Sequence, residues 1–448
     1  WLGTAPNVYA RGRLKMKQGM DGIQTHYFYE ETDQYGALYK VTAETRIAGE
    51  SVPGLSSRKV TYVSGQGNNM RYEQYARLAD GAWSMTDASS YEYDVENRWV
   101  KRTRANGRVY ERMMTCCGPL WERDENGVTT SYSYNTARQL VETIRSAVAD
   151  GETMITPETI TSYTRDALGK ITSLRRDAGP MTTVESREYD LLGRLIRETD
   201  ILGRTTVRSY SGDGLVETVT TPAGATLITR KSPSGAVVRR YGTGQQDILY
   251  TVEATAEGIR TTEAVPGGEG GAPRVVTGSS TVNGFGDLVR IAAANTLNGE
   301  NVRTLAYDDK GRLIREQLAD MAPTLYAYDA FGNRTRAIVA LEDEPTILNS
   351  RITDYAYVAE SREDGIYRLV SITSYTSSGT PVLQKRAALL SALSSVLAGK
   401  TVMTDPRGHD TVEWTEYGGG SVRLQKKTVP GVGSVALTRV VDGFTTAV

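Results

Sequence analysis

The most reactive side chains are few, because the 448-residue chain carries only 2 Cys and 2 His. The cysteines are adjacent, as Cys116 and Cys117, and a disulfide between neighbours would close a strained ring. A zinc site would need two more soft ligands, and His26 and His409 are distant in the sequence. We interpret the cysteines as a small apolar pair that enters a turn. A vicinal disulfide and pairing with another chain are the alternatives.

Catalytic and nucleotide-binding motifs have little support. Any Ser-His-Asp or Cys-His mechanism must use His26 or His409, and both lie in stretches typical of strands or turns. Residues 399–401, Gly-Lys-Thr, resemble the end of a P-loop, but Ser394 stands where that motif requires its first glycine. We therefore predict no catalytic, cofactor-binding or metal-binding residues and no enzymatic activity.

The composition excludes several classes of protein. The 52 Lys+Arg balance 53 Asp+Glu, so the basic surface of a dedicated nucleic-acid binder is missing. Hydrophobic residues make up 39%, and no apolar run reaches the roughly 18–20 residues that span a bilayer. The unusual feature is 45 Gly and 26 Tyr beside 4 Phe. Glycine weakens helices and tyrosine suits half-buried strands, so this bias favours β structure.

Tyrosine and glycine recur at fixed spacings. Tyr-x-Tyr pairs, as at Tyr91 and Tyr93, place two rings on one face of a strand. Asp-x-x-Gly steps predict turns, because aspartate bonds the backbone two residues on and glycine supplies a positive φ. From Asp190 the turns start every ten or eleven residues, which is the spacing of a strand plus a turn. The residues assigned to turns and repeat packing are Tyr93, Asp94, Asp166, Gly169, Tyr189, Asp190, Gly193, Asp200, Gly203, Tyr307, Asp308, Gly311, Tyr326, Tyr328, Asp329 and Gly332.

This spacing predicts an all-β fold, a long antiparallel sheet of repeated hairpins with roughly 35–40 strands. Twisted sheets rarely exceed about ten strands without curling or splitting, so the sheet must coil, divide or stack. Tyrosine in place of phenylalanine favours a coiled wall wetted on one or both faces over a dry sandwich, because a buried hydroxyl needs a partner. A β-propeller-like array is the alternative, although no period of about 40–45 residues dominates.

The repeat resembles the signature of the RHS/YD-repeat family, Tyr-Asp-x-x-Gly-Arg-Leu. Residues 189–195 and 307–313 match it nearly completely, and residues 328–334 are close to it. Weaker copies lie at 165–171 and 32–38. One copy alone would be a weak signal, but several in one register are specific, and the clear copies lie between about residues 90 and 340.

The resemblance implies a spiral β-strip around a hollow interior. Such shells occur in bacterial RHS toxins, in the encapsulating part of ABC toxin complexes, in wall-associated proteins and in teneurins. The partners it implies are other segments of the same RHS polypeptide and an enclosed C-terminal toxin or other cargo. The implied location is secreted or at the cell surface of a bacterium.

Departures from the repeat suggest the organisation of the chain. Residues 1–90 are irregular YD-like strands, 91–265 form a regular β-strip, and 266–300 hold a Gly-rich loop and a divergent repeat. Residues 301–448 resume the strip. Within them we expect a short helix at 385–398, because leucines and valine recur at helical spacing before Gly399; a strand is the competing interpretation. The chain starts at Trp1, so we interpret it as part of a longer polypeptide.

Two functions from different classes follow. The first is a structural or encapsulating β-shell segment that encloses or displays another polypeptide. The second is an adhesin module, because exposed tyrosines can stack on the sugar rings of glycans. Nucleic acid is excluded as a partner by the charge balance, and no membrane span is predicted in this segment.

Overall fold

Alternating side chains and regularly spaced turn residues produce strands along the whole chain. The computed structural model describes residues 13–19, 22–47, 49–266, 275–295, 299–319, 321–341, 350–375, 379–432 and 435–447. These residues form 37 strands and one short 3-10 helix, Gln34–Gly36. The predicted all-β class is confirmed. Most of the predicted Gly-rich loop, residues 267–273, lies outside the described residues, as do residues 1–12.

The strands are numbered along the chain. They are β1 Met16–Gln18, β2 Ile23–Glu31, β3 Tyr39–Ile47, β4 Ser57–Val63, β5 Asn69–Arg77, β6 Trp83–Tyr93, β7 Trp99–Arg104, β8 Val109–Met114, β9 Pro119–Arg123, β10 Thr129–Tyr134, β11 Leu140–Arg145, β12 Val148–Asp150, β13 Thr153–Thr156, β14 Thr159–Arg165, β15 Ile171–Ala178, β16 Met181–Tyr189, β17 Leu195–Thr199, β18 Thr205–Tyr210, β19 Val216–Thr220, β20 Thr226–Lys231, β21 Val237–Tyr241, β22 Ile248–Thr255, β23 Gly258–Val265, β24 Val275–Val282, β25 Leu288–Asn295, β26 Gly299–Tyr307, β27 Leu313–Leu318, β28 Thr324–Tyr328, β29 Arg334–Ala340, β30 Ser350–Arg362, β31 Gly365–Tyr375, β32 Pro381–Leu389, β33 Leu397–Thr404, β34 Asp410–Gly419, β35 Val422–Thr428, β36 Val435–Val441 and β37 Phe444–Ala447.

The strands form a meander, in which each strand pairs antiparallel with the next one along the chain. This pattern runs from β1 to β11, from β15 to β28 and from β30 to β37. One sheet holds 35 strands, and β12 and β13 form a separate hairpin. The propeller alternative is wrong, because its blades would interrupt the pairing every four strands.

Packing divides the chain into two units. Unit 1 comprises Trp1–Thr159, Ala327–Ala337 and Arg351–Val448, and unit 2 comprises Ile160–Tyr326 and Ile338–Ser350. These units follow packing, whereas the predicted boundaries at residues 90, 265 and 300 follow the regularity of the repeat. Those boundaries stay predictions.

Within unit 1 the meander returns alongside an earlier part of itself. Residues between 79 and 150 contact residues between 359 and 442. From one end of this line to the other, the residue numbers rise on both sides. At one end the amide of Ala79 donates to the carbonyl of Ala359 over 3.0 Å. At the other end Arg145 pairs with Asp442 over 2.5 Å. We call this line of contacts the seam, and it shows that the strip bends back on itself in this unit.

Small apolar clusters form the core of unit 1. One lies at the seam and joins Leu78 to Ala359 and Ile366. Another joins Val128 and Val148 to Val441, which is only 1% exposed. The remaining two clusters surround Tyr62 and Tyr367. Most side chains in the strands of unit 2 are half-buried or exposed, as expected for a sheet whose faces contact water.

The predicted helix at 385–398 is wrong. Residues to Leu389 belong to β32 and pair with β31, so that Leu389 lies opposite the fully buried Tyr367. Strand β33 begins at Leu397. Between the two strands the amide of Ala392 donates to the carbonyl of Thr86 across the seam. Pairing and seam contacts therefore override the local helical pattern of leucines.

The described residues contain no helix that is both long enough and apolar enough to cross a membrane.

Candidate functional site

The repeat turn is the structural unit that recurs most often, and Asp190 shows how it is built. The carboxylate oxygen Oδ1 of Asp190 accepts the amides of Leu192 and Arg194 at 3.0 and 2.8 Å. Its Oδ2 accepts Nε of Arg194 at 2.7 Å. The backbone closes two further bonds, from Asp190 to the carbonyl of Arg194 and from Gly193 to that of Asp190. One aspartate thus satisfies both the turn backbone and the arginine that follows it.

The other predicted turns share this arrangement. Arginine fills the position after glycine in two more, and Asp200 and Asp308 accept Nε of Arg204 and Arg312 at 2.7 and 2.8 Å. Asp94 bonds Arg98 in the same way. Asp329 accepts the amide and the Nδ2 group of Asn333, each at 2.9 Å. In the turn opened by Asp166, the Oδ1 atom accepts the amides of Leu168 and Lys170.

These contacts lower the pKa of several turn carboxylates. The pKa of Asp200 lies below its ordinary value, chiefly because Arg204 donates side-chain and backbone hydrogen bonds to it. The pKa of Asp94 is lowered chiefly by the backbone amide of Arg98. A carboxylate held in its charged form is poorly suited to donate a proton as a general acid.

Glycine fills the fourth position of most of these turns, where φ is positive; Asn97 takes it in the turn opened by Asp94, with a φ of 62°. Gly193, Gly203 and Gly311 have φ values of 74°, 75° and 74°. Gly169 and Gly332 both have a φ of 81°. The strand register shifts beside such turns, for example between Glu188 and Tyr189. This is the pattern of a type I turn that ends in a bulge, in which the left-handed residue is usually glycine.

The tyrosine that precedes a turn connects it to the neighbouring turn on the same sheet edge. Tyr210 ends β18, and its hydroxyl donates to the carbonyl of Leu195, at the start of β17, over 3.0 Å. The guanidinium of Arg194 lies 4.4 Å from the ring centroid of Tyr210. Arg194 therefore bonds Asp190 in its own turn and stacks on the tyrosine that leads to the next one.

The same tyrosine bond recurs along the chain. In each case the acceptor is the carbonyl at the start of the preceding strand, as for Tyr93 with Asn69 (2.9 Å), Tyr189 with Ile171 (3.2 Å), Tyr307 with Leu288 (3.0 Å) and Tyr357 with Arg334 (2.9 Å). Phenylalanine cannot make this bond. The excess of tyrosine thus has a specific structural reason.

The predicted residues of each turn lie together, and the turns follow one another along the sheet. Tyr326 and Tyr328 lie half-buried in β28, two residues apart on one face of the strand. The residues assigned to turns and packing did not include the arginine after the turn glycine, although the repeat signature contains it and it recurs after Gly193, Gly203 and Gly311. That recurrence is the signal that could have identified it.

A second feature is a concave face over β2 to β6 in unit 1, with a volume of about 540 Å³. We call it the basin. Phe28 and Trp83 line it together with charged side chains. Glu44 is 4% exposed and lies 3.2 Å from Arg58 and 3.3 Å from Arg46. The guanidinium of Arg58 also lies 4.3 Å from the ring centroid of Trp83.

A second buried carboxylate lies in the basin. Glu73 is 5% exposed and accepts Nε of Arg71 at 2.7 Å and the hydroxyl of Tyr75 at 2.8 Å. Burial and the adjacent Glu73 carboxylate raise the pKa of Tyr62 to about 12. The Tyr62 hydroxyl donates to Oε2 of Glu73 over 3.4 Å.

The two histidines and the two cysteines each contact residues close to them in the sequence. His26 is half-buried in β2, beside Gln24 at 2.9 Å. His409 is exposed and lies 3.3 Å from Asp405, the first residue of its turn. Cys116 and Cys117 occupy the tip of a turn between β8 and β9, and their Sγ atoms are 2.9 Å apart. In the part of the chain that the structure describes, no three His, Cys, Asp or Glu side chains are grouped to hold a metal ion.

These features define a β-meander repeat protein whose repeat unit is a strand, a bonded aspartate turn and a tyrosine link. Residues 189–226 match the family model of the RHS repeat. The matched stretch contains Tyr189, Asp190 and Gly193, and the resemblance seen in the sequence is confirmed. Among curated proteins, no sequence match to the chain is found.

The chain is also similar to several solved structures. The crystal structure of TcdB2-TccC3 matches at a TM-score of 0.38 and 12% identity, over 95% of this chain and 29% of that chain. The Photorhabdus luminescens Tc holotoxin pore matches at a TM-score of 0.36 and 13% identity, over 96% of this chain and 27% of that chain. This chain therefore spans less than a third of the length of those chains.

Proposed function

We propose that this chain is a structural segment of a larger, bacterial RHS/YD-repeat protein, and that its sheet forms part of a wall that encloses or displays another polypeptide. The observation that carries the proposal is the seam in unit 1, where residues nearly 300 positions apart join two stretches of one strip. A strip that bonds to itself in this way can build a continuous wall. The RHS repeat at 189–226 supports the same role.

We further propose that the wall acts without catalysis. Its recurring carboxylates bond turn amides and arginines, and hydrogen bonding lowers the pKa of several of them, including Asp94 and Asp200. Its recurring tyrosine hydroxyls bond backbone carbonyls. The repeat thus uses its polar groups to hold strands and turns together. The enclosed partner would be a toxin polypeptide, the cargo that the family resemblance implies, in a secreted or surface-exposed protein.

Protease protection tests this function on the complete gene product. We expect a segment outside the wall repeats to resist a broad-specificity protease in the native protein. It should become sensitive when the wall is opened by mild denaturant, at concentrations that leave the isolated protease active. Equal digestion of every non-wall segment in the native protein would contradict enclosure. The wall would then display the segment instead of enclosing it. Antibodies against the segment should in that case bind to intact cells.

The basin favours a second candidate function, the binding of glycans at a cell surface. Phe28 is 40% exposed and lies in a concave site with carboxylates and guanidinium groups. Sugars bind such combinations of an apolar ring and several polar groups. A glycan array would show saturable binding that Phe28→Ala abolishes, whereas Phe285→Ala, an exposed phenylalanine at a turn tip, should leave binding intact.

A further inference from the structure

The turn that carries Cys116 and Cys117 is a shortened version of the repeat turn. In the Asp190 turn, Tyr189 pairs with Leu195 across the hairpin. In the cysteine turn, Met114 pairs with Pro119, which leaves one residue fewer in the loop. The amide of Thr115 accordingly donates to the carbonyl of Gly118 over 2.7 Å. The shorter loop places both cysteines at its tip.

Neighbouring turns hold this loop on both sides. Arg98, from the preceding turn on the same edge, donates to the carbonyl of Thr115 over 2.8 Å. Tyr134, which leads into the following turn, donates to the carbonyl of Pro119 over 3.1 Å. Inside the loop, the hydroxyl of Thr115 donates to the carbonyl of Gly118 at 2.8 Å and accepts the amide of Cys117 at 3.2 Å. The backbone around the thiols is therefore held both by neighbouring turns and by hydrogen bonds within the loop.

The two sulfur atoms are close to bonding distance. Their separation is 2.9 Å, and a disulfide bond is about 2.05 Å long, so closure requires an approach of less than about 1 Å. Cys116 is exposed and Cys117 is half-buried. The hydrogen bond with Cys116, and then burial, raise the pKa of the Cys117 thiol, while Arg138 acts in the opposite direction. Cys116 is thus the sulfur that a reagent in solution meets first.

We propose that Cys116 and Cys117 are a site of reversible oxidation, at which a small-molecule aliphatic disulfide of the glutathione type converts the two thiols into a vicinal disulfide. The Cys116 thiolate attacks one sulfur of the reagent and forms a mixed disulfide, and the first glutathione thiolate leaves. The Cys117 thiol then loses its proton to water and attacks Sγ of Cys116, which expels the second glutathione thiolate. Two protein thiols are oxidised to one disulfide, and one glutathione disulfide is reduced to two thiols.

The ring strain of this bond determines how easily the disulfide is reduced. A strained, exposed disulfide is more easily reduced than a structural one. The pair would therefore be a dithiol in the reducing environment of a cytosol and a disulfide in an oxidising one. The inference stands on the geometry of this turn and does not depend on the wall function, so the two can fail separately.

Thiol counting on the folded chain tests the proposal. After treatment with oxidised glutathione and then iodoacetamide, we expect the intact chain to lose the mass of two hydrogens and to carry no alkyl groups. Cys116→Ser and Cys117→Ser are matched controls, because each leaves one thiol in the same turn. The Cys117→Ser chain should retain one bound glutathione, because no second thiol is present to displace it.

A second measurement uses phenylarsine oxide, which bridges two adjacent thiols. The reduced wild-type chain should bind one equivalent, and neither serine variant should bind it stably. The proposal is overturned if the treated wild-type chain still carries two alkylated cysteines. It is also overturned if that chain retains glutathione or is recovered as a disulfide-linked dimer.

Discussion

Arg145 and Asp442 lie 297 positions apart in the sequence, yet Nη2 of Arg145 lies 2.5 Å from Oδ1 of Asp442. The other carboxylate oxygen of Asp442 accepts the hydroxyl of Thr156 at 3.0 Å. Asp442 has a φ of 49°, beside Gly443 at 84°, in the tight hairpin between β36 and β37. This one side chain therefore bonds β11 and the β12–β13 hairpin to the far end of the strip.

Replacing Asp442 by asparagine should loosen the seam. Asparagine tolerates the positive φ but removes the charge that pairs with Arg145. Because the two side chains are 33% and 21% exposed, we expect a loss of roughly 0.5–1.5 kcal/mol of stability. Amide hydrogen exchange should quicken in the β12–β13 hairpin, residues 148–156, whose Thr156 bonds Asp442.

The matched control is Glu413→Gln, which removes an ion pair with Lys427 that is largely exposed and links adjacent strands. Such pairs contribute about 0–1 kcal/mol, so exchange in residues 148–156 should not change. Equal exchange rates in wild type and Asp442→Asn would show that the seam does not hold this hairpin.

Tyr210→Phe isolates the tyrosine link. It removes the hydroxyl bond to the carbonyl of Leu195 and keeps the ring beneath Arg194. We expect thermal or urea unfolding to show a loss of about 0.5–1.5 kcal/mol. Tyr250→Phe is the control, because Arg240 lies over that ring at 5.6 Å and no hydroxyl bond to another described residue is formed. Similar losses in both variants would argue against a specific role for the hydroxyl bond.

Gly311→Val tests the turn backbone. Gly311 has a φ of 74°, and a side chain added there would meet no atom within 4 Å, so the cost is conformational. A residue other than glycine in this region costs about 1–3 kcal/mol, which should lower the melting temperature. Gly212→Val, at a turn position with open space and no positive φ, should change it little. An unchanged melting temperature for Gly311→Val would refute the requirement for glycine.

Acid should weaken the repeat. The pKa of Asp200 is lower in the folded protein than its ordinary value, because Arg204 bonds the charged form. A carboxylate with a depressed folded pKa stabilises the fold above its unfolded pKa, and this stabilisation is lost as pH falls through the folded value. The melting temperature should therefore decrease below about pH 4.

In the Asp200→Asn variant this decrease in melting temperature should be smaller, because one titrating turn carboxylate has been removed. Asn135 and Asn283 already open turns in the native chain, so the substitution suits the backbone. A melting temperature for the wild type that stays constant through pH 3 would contradict the electrostatic account of the turns.

The sequence by itself determined the strands, the turns and the repeat. Asp190, Leu192, Gly193 and Arg194 are near neighbours, so their bonds depend on local backbone geometry that spacing alone specifies. Alternation of side chains and the excess of tyrosine likewise identified a long antiparallel sheet with wetted faces. Local spacing failed at 385–398, where a helical pattern of leucines lies in strands and in the segment that joins them, because their partners come from elsewhere in the chain.

Only the tertiary structure decided what the side chains contact beyond their own turn. The bond from Tyr210 to Leu195 depends on the register of two strands, and a shift of one residue would turn the ring to the opposite face. The pairing of Arg145 with Asp442 joins residues 297 positions apart in the sequence. Such a contact depends on tertiary packing, and no local pattern of residue types records it.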